Sequence, residues 1–242
     1  CLVGSEMCIR ARGNCLYQER ILLYMNYDSV PLRDFKELND WETVIFVYQS
    51  ALKQVETKID ILNGEFQHRH KYNPIEHVKS RIKTPESIVK KLKRHGYESS
   101  IENMVRYVND IAGIRISCSF TSDIYLIADM ISKQNDLTIL ARRDYMKNPK
   151  KSGYRSYHML VTTPVFLSDS IIDTKVEIQI RTVAQDFWAT LEHKMHYKFE
   201  GDGPDYITKE LRECARYVAE LDTRMEELNN EIQKYGKLSD KK

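Results

Sequence analysis

The chain has 242 residues, of which 42% are hydrophobic and 30% charged, and its formal net charge is +2 from 37 basic and 35 acidic side chains. That length admits one large domain or two small ones with a true core, and the near balance of charge argues against a general nucleic-acid binder. No apolar run approaches the roughly 20 residues of a membrane span, and the first residues lack a signal-peptide pattern, so a soluble protein is expected.

The cysteines are Cys1, Cys8, Cys15, Cys118 and Cys214. None forms a CxxC pair, so zinc-ribbon spacing is absent and a reducing, cytoplasmic setting is the simplest. Cys118 lies in an apolar stretch and reads as a buried thiol. Residues 1–34 read as an extension, weakly ordered over roughly the first 25, with Met7 or Met25 as a later start.

Periodicity predicts a helix over Phe35–His68. Trp41, Ile45, Tyr48, Leu52, Val55, Ile59, Leu62 and Phe66 step by four and three, a heptad seam. A basic helix follows, with Thr84 as N-cap, Pro85 at the first position and Glu86 in the first turn. Ser87, Lys91 and Arg94 share one face, and Arg81 and Lys83 stand just ahead of the helix. These five donors could converge on a polyphosphate. The same residues also suit a solvated basic face.

Ile111–Phe120 reads as a strand, Asp123–Gln134 as a helix, and Leu137–Arg143 and Tyr157–Phe166 as two further strands. In the fourth strand, Lys175–Arg181, Val176, Ile178 and Ile180 alternate with Glu177, Gln179 and Arg181. One face is apolar; the other carries a carboxylate, an amide and a guanidinium. Val183–Tyr197 reads as a helix. A C-terminal helix follows, whose Ile207, Leu211, Cys214, Val218, Leu221, Met225, Leu228 and Ile232 repeat the heptad step. The expected class is α+β, a mixed sheet flanked by long N- and C-terminal helices. Residues 35–200 would form the core with its helical arm, and residues 201–242 an oligomerisation helix and tail. Either seam could pack on its own domain or across a subunit boundary.

Two carboxylates stand out. Asp110 lies at the start of the first strand and Glu177 on the polar face of the fourth. Magnesium–nucleotide enzymes hold the ion with one or two carboxylates plus phosphate oxygens. The run Lys151-Ser152-Gly153-Tyr154-Arg155-Ser156-Tyr157-His158 joins turn chemistry to a strand start. Its Tyr154 could lie against a base, and regular alternation puts Ser156 and His158 on the same side. His193 and His196 are three apart on a helix without an evident third ligand. Neither a Walker A loop nor a Rossmann turn is present.

The segments Arg81–Arg94, Asp110–Arg115, Arg143–Tyr145, Asn148–Lys150, Gly153–His158, Val176–Thr182 and Trp188–His193 together resemble, in order and spacing, the RelA/SpoT alarmone synthetase family. The likeness spans about Phe35 to Tyr235. It is closest to the small single-domain synthetases, the RelP branch rather than the RelQ branch. It implies a nucleotidyltransferase-like core that moves the β,γ-pyrophosphate of ATP to the 3′-hydroxyl of GTP or GDP, releasing AMP, in the bacterial stringent response. Carried over, Asp110 would bind Mg²⁺. Arg81, Lys83, Ser87, Lys91, Arg94 and Arg115 would hold ATP. Lys150, Tyr154, His158 and Gln179 would hold the acceptor, with Tyr154 stacked on guanine. Glu177 would be a catalytic base or second metal contact. The helical arms would build a homotetramer. The chain departs from longer members at Ala141-Arg142-Arg143-Asp144, where a first arginine is missing. No His-Asp pair of the hydrolase domain occurs, so synthesis without hydrolysis is expected. Product activation is not expected.

Two other readings stay open. A toxin-like relative would use the same fold on adenosine nucleotides or tRNA, since every base offers a π-face to Tyr154. A non-catalytic RNA binder would have no need of both carboxylates.

Overall fold

The computed structural model describes residues 40–70, 72–198 and 205–239. The expected helix start at Phe35 and the whole N-terminal extension lie outside the described residues.

Helix α1 (Trp41–His70) precedes strand β1 (Ile75–Ile82), helix α2 (Pro85–Arg94) and helix α3 (Ile101–Tyr107). Strand β2 (Ala112–Cys118), helix α4 (Thr121–Ser132), and strands β3 (Thr138–Asp144), β4 (Tyr157–Phe166) and β5 (Ile171–Thr182) follow. Helices α5 (Val183–Lys198) and α6 (Asp205–Ser239) close the described chain. The five strands form one sheet in the order β1-β2-β5-β4-β3. Only β2 and β5 pair in parallel; the other neighbours are antiparallel. The expected α+β class holds, with a mixed sheet between flanking helices.

Alternation splits the sheet into two faces. Ile114, Ile116, Met159, Val161, Val176, Ile178 and Ile180 are all buried in one core. Helix α1 lays its seam on that face. Tyr48, Leu52, Val55 and Ile59 are buried there, and Trp41, Ile45 and Leu62 pack at its edge. Helix α4 adds Ile124, Ile127 and Ile131. From Trp41 to Leu62 the α1 seam therefore packs on its own domain.

Helix α6 behaves differently. Ala215 and Asp222 are buried against the domain, whereas Leu221, Met225, Leu228 and Ile232 are about half exposed or more, at 52%, 48%, 53% and 69%. With Cys214, five of the eight expected seam residues are exposed.

Two elements were not expected from the sequence. Strand β1 is an edge strand with a register shift between Ile75 and His77. The bulge puts its apolar residues out of step with a two-residue period. Helix α3 has only seven residues, capped by Ser100 Oγ, which accepts from Asn103 N. Among the described residues no helix is long and apolar enough to cross a membrane. Cys118 is buried and Cys214 exposed.

Candidate active site

The polar face of the sheet is built from strand register. Lys79, Arg115, Gln179, His158 and Arg143 stand in one row across all five strands. Arg81, Gly113, Glu177, Leu160 and Ala141 stand in the next. Gly113, lacking a side chain, leaves the floor open between Arg81 and Glu177. A cleft of about 230 Å³ opens over these rows, lined by Lys79, Arg81, Asp110, Arg115, Glu177 and Gln179 among others. A smaller one of about 40 Å³ lies beside it, lined by Asn109, Arg143, His158, Leu160 and Glu177 among others. Glu177 lines both.

Asp110 sits in the turn before β2 and is gripped from two sides. Lys83 Nζ donates to Oδ2 and Lys91 Nζ to Oδ1, each at 2.7 Å. Burial alone would raise its pKa, but the two ammonium groups outweigh it and hold the carboxyl at about 2. Helix α2 delivers Lys91 as the cap chemistry requires: Thr84 Oγ1 accepts from Ser87 N, and Pro85 opens the helix. Ser87 Oγ accepts from Thr84 Oγ1 at 3.0 Å, and Arg94 is exposed in the last turn. The expected convergence of five donors is therefore partial. Arg81 lines the cleft and Lys83 and Lys91 hold its aspartate, while Ser87 and Arg94 do not line it.

Below Asp110, Lys175 is buried, and its Nζ donates to Asn109 Oδ1 at 2.7 Å and to the Arg106 carbonyl at 3.1 Å. Burial, followed by nearby Lys91, lowers its pKa to about 8. Lys175 thus ties the end of α3 to the turn that carries Asp110.

Glu177 faces His158 Nδ1 at 3.6 Å and accepts from Gln179 Nε2 at 2.9 Å. Burial works to raise its pKa, yet His158 and Gln179 prevail and lower it. Burial pushes His158 below the usual imidazole range, despite Glu177, so the ring is neutral at neutral pH. The surroundings fit one tautomer: Nδ1–H turned to Glu177, and Nε2 accepting from Tyr154 Oη at 2.9 Å.

Tyr154 lies ahead of regular β4, in a turn closed by Lys150 N to the Tyr154 carbonyl and Gly153 N to the Lys150 carbonyl. Lys150 Nζ lies 4.8 Å from its ring centroid and Arg181 Cζ 5.6 Å. Its ring also packs on Trp188 and Ala215. The expected side-sharing of Tyr154 and His158 holds. Ser156 is instead fully buried, its Oγ donating to the Ile180 carbonyl.

Arg181 and Asp186 were not singled out as site residues. Arg181 is 1% exposed and donates from Nη2 to Gln179 Oε1 at 3.0 Å. The two-residue period could have found Arg181, which follows Glu177 and Gln179 on one face. Asp186 carries no such signal, because an acid in a first helical turn is ordinary. Among the described residues no group of three or more His, Cys, Asp or Glu could hold a metal ion. A cation bound at Asp110 and Glu177 would need further oxygens from its ligand.

The profile of the region found in RelA / SpoT proteins matches residues 80–202. GTP pyrophosphokinase YwaC of Bacillus subtilis (strain 168) is 45% identical over 195 residues, 81% of this chain and 93% of its own length. GTP pyrophosphokinase YjbM of the same organism is 35% identical over 193 residues, 80% of this chain and 90% of its own. Among solved structures, small alarmone synthetase 2 from Bacillus subtilis is 44% identical with a TM-score of 0.72, covering 79% of this chain and 99% of that one. Small alarmone synthetase 1 from the same organism, bound to its product pppGpp, is 34% identical with a TM-score of 0.74, covering 80% and 98%. Profile, sequence relatives and fold agree, and the chain belongs to the RelA/SpoT family as one of its small alarmone synthetases.

Proposed function

We propose that this protein is an ATP:GTP 3′-pyrophosphotransferase that also accepts GDP. The observation that carries the reading is the position of Glu177, which lines a cation-rich cleft on one side and a histidine-lined one on the other. ATP occupies the larger cleft, its phosphates met by Arg81, Lys79 and Arg115. The acceptor nucleoside lies toward His158 and Lys150, its base on Tyr154 and hydrogen-bonded by Gln179. The 3′-oxygen attacks the β-phosphorus, the bond from that phosphorus to the α-bridging oxygen breaks, and AMP leaves with that oxygen. Glu177 takes the proton of the 3′-hydroxyl. Transfer between two anionic nucleotides asks for placement and charge neutralisation more than a covalent intermediate.

Asp110 and Glu177 suit Mg²⁺: both are ionised oxygen donors on one cleft, and phosphate oxygens would complete the shell. When bound, the ion would neutralise charge on the transferred pyrophosphate. Lys83 and Lys91 keep Asp110 ionised throughout. The exposed stripe of α6 is proposed to take further copies of this chain, giving a homotetramer.

Incubating the protein with ATP labelled in the β-phosphate, Mg²⁺ and a panel of GTP, GDP, ATP and tRNA tests the reaction. Labelled guanosine pentaphosphate and AMP are expected. Label found only in free pyrophosphate, or on tRNA, overturns the reading. Glu177→Gln should lower turnover about 10²–10⁴-fold, the usual worth of a general base.

A further inference from the structure

Asp186 stands in the first turn of α5 and is faced by three cations from three strands. Arg115 Nη1 lies 3.4 Å from its Oδ1, Arg181 Nε 3.6 Å from the same oxygen, and Lys79 Nζ 3.8 Å from Oδ2. The turn itself is fixed from below. Thr182 Oγ1 accepts from Gln185 N and donates to Asp222 Oδ2, and Gln185 Nε2 donates to the same Asp222 oxygen. The acid therefore comes to the sheet on an anchored stem.

The three cations belong to different parts of the site. Lys79 and Arg115 line the larger cleft. Arg181 lies by the Tyr154 ring and donates to Gln179 Oε1, and Gln179 Nε2 donates in turn to Glu177 Oε2. A guanidinium only donates, so Arg181 decides which way the Gln179 amide faces. With the oxygen drawn to Arg181, the amino group is left for Glu177. A charge as buried as that of Arg181 is costly unless an opposite charge stands close. Favourable charge at a helix N-terminus would explain an acid anywhere in this turn. It does not explain a carboxylate oxygen buried between two guanidiniums, whose Nε groups are themselves buried without hydrogen-bond partners among the described residues.

We propose that Asp186 is a positioning residue common to both nucleotide subsites. Through Arg115 and Lys79 it sets the cations of the ATP cleft, and through Arg181 it sets the Tyr154 shelf and the Gln179–Glu177 hydrogen bond. This inference rests on the proposed pyrophosphoryl transfer. It adds a residue that itself touches neither nucleotide.

The test is steady-state kinetics with both substrates varied, for the parent protein, Asp186→Asn, Arg181→Lys and the double variant, with melting temperature measured alongside. Asp186→Asn should raise the KM for ATP and for the acceptor together, each about fivefold or more, as expected for loosened charged contacts. In the Arg181→Lys background the same change should still raise the KM for ATP. It should add little to the acceptor KM, because residues acting through one another are not additive. A rise in only one of the two KM values, or acceptor effects that multiply in the double variant, overturns the role. If Asp186→Asn does not fold, Asp186→Glu takes its place. That variant keeps the charge on a longer arm and should give intermediate KM values for both nucleotides; values equal to the parent overturn the role. Failure of the parent to make guanosine pentaphosphate overturns the proposed reaction. A working parent with an indistinguishable Asp186→Asn overturns the positioning role alone.

Discussion

Tyr154 Oη and His158 Nε2 lie 2.9 Å apart, so the ring in the turn and the imidazole on β4 hold each other in place. The bond spans the change from turn to strand. It also leaves His158 Nδ1 facing Glu177 at 3.6 Å, linking the Tyr154 ring to the carboxylate.

Tyr154→Ala removes both the proposed stacking face and this bond. Base–aromatic stacking is worth about 1–3 kcal/mol, so the acceptor KM should rise roughly tenfold or more, with the KM for ATP nearly unchanged. Tyr154→Phe keeps the face and should lose far less. Initial rates at varied acceptor and fixed ATP decide it; equal losses in the two variants would mean that stacking is not the role of the ring.

Asp110 gives a pH prediction. Its carboxyl is held at about 2, below the ordinary 3.8, by Lys91 and Lys83 against the opposing effect of burial. A depressed acid stabilises the fold above the unfolded value and loses that contribution as pH falls from about 4 to 2, a total of about 2 kcal/mol. Lys91→Met should move acid unfolding to higher pH, followed by circular dichroism. An unmoved midpoint would mean the pair contributes nothing.

Gly153 has φ +93°, and a Cβ there would fall 2.5 Å from Ala215 Cβ. Gly153→Ala meets both strain and collision, and a non-glycine residue in such a conformation costs about 1–3 kcal/mol. Since the turn carries Tyr154, the acceptor KM should rise along with the drop in melting temperature. Adding Ala215→Gly relieves the collision and leaves the strain, so recovery should be partial. Full recovery would assign the whole effect to packing on α6.

The stripe Leu221, Met225, Leu228 and Ile232 predicts association. Replacing Leu221 and Leu228 by lysine should lower the solution mass measured by light scattering. An unchanged mass would place the contact elsewhere.

Strand β5 was legible because Glu177, Gln179 and Arg181 alternate strictly with buried branched residues. Its first residues, Ile171 to Thr174, were missed because they lack that contrast. Strand β1 was illegible because its bulge and edge position break the two-residue period. The candidate site was legible as a set of residue types at fixed spacing, through Asp110, Tyr154, His158 and Glu177. Its wiring was not. That Lys83 and Lys91 share one aspartate, or that Asp186 faces three strands, follows from register and helix placement, which spacing along the chain does not encode.

The parallel pairing of β2 with β5 joins Ala112–Cys118 to Val176–Thr182 across the middle of the sheet. Everything between them in the chain, including α4, β3 and β4, must be looped out before that pairing forms. Long-range parallel contacts repay their loop-closure entropy late, so this seam is a slow step of assembly. Arg115 and Gln179 are partners in it. Both line the larger cleft, so a nucleotide proposed to bind there binds only after this strand-to-strand closure is complete, and its binding energy adds to the stability of the folded state alone. Refolding followed by nucleotide binding would therefore time the closing of the sheet itself.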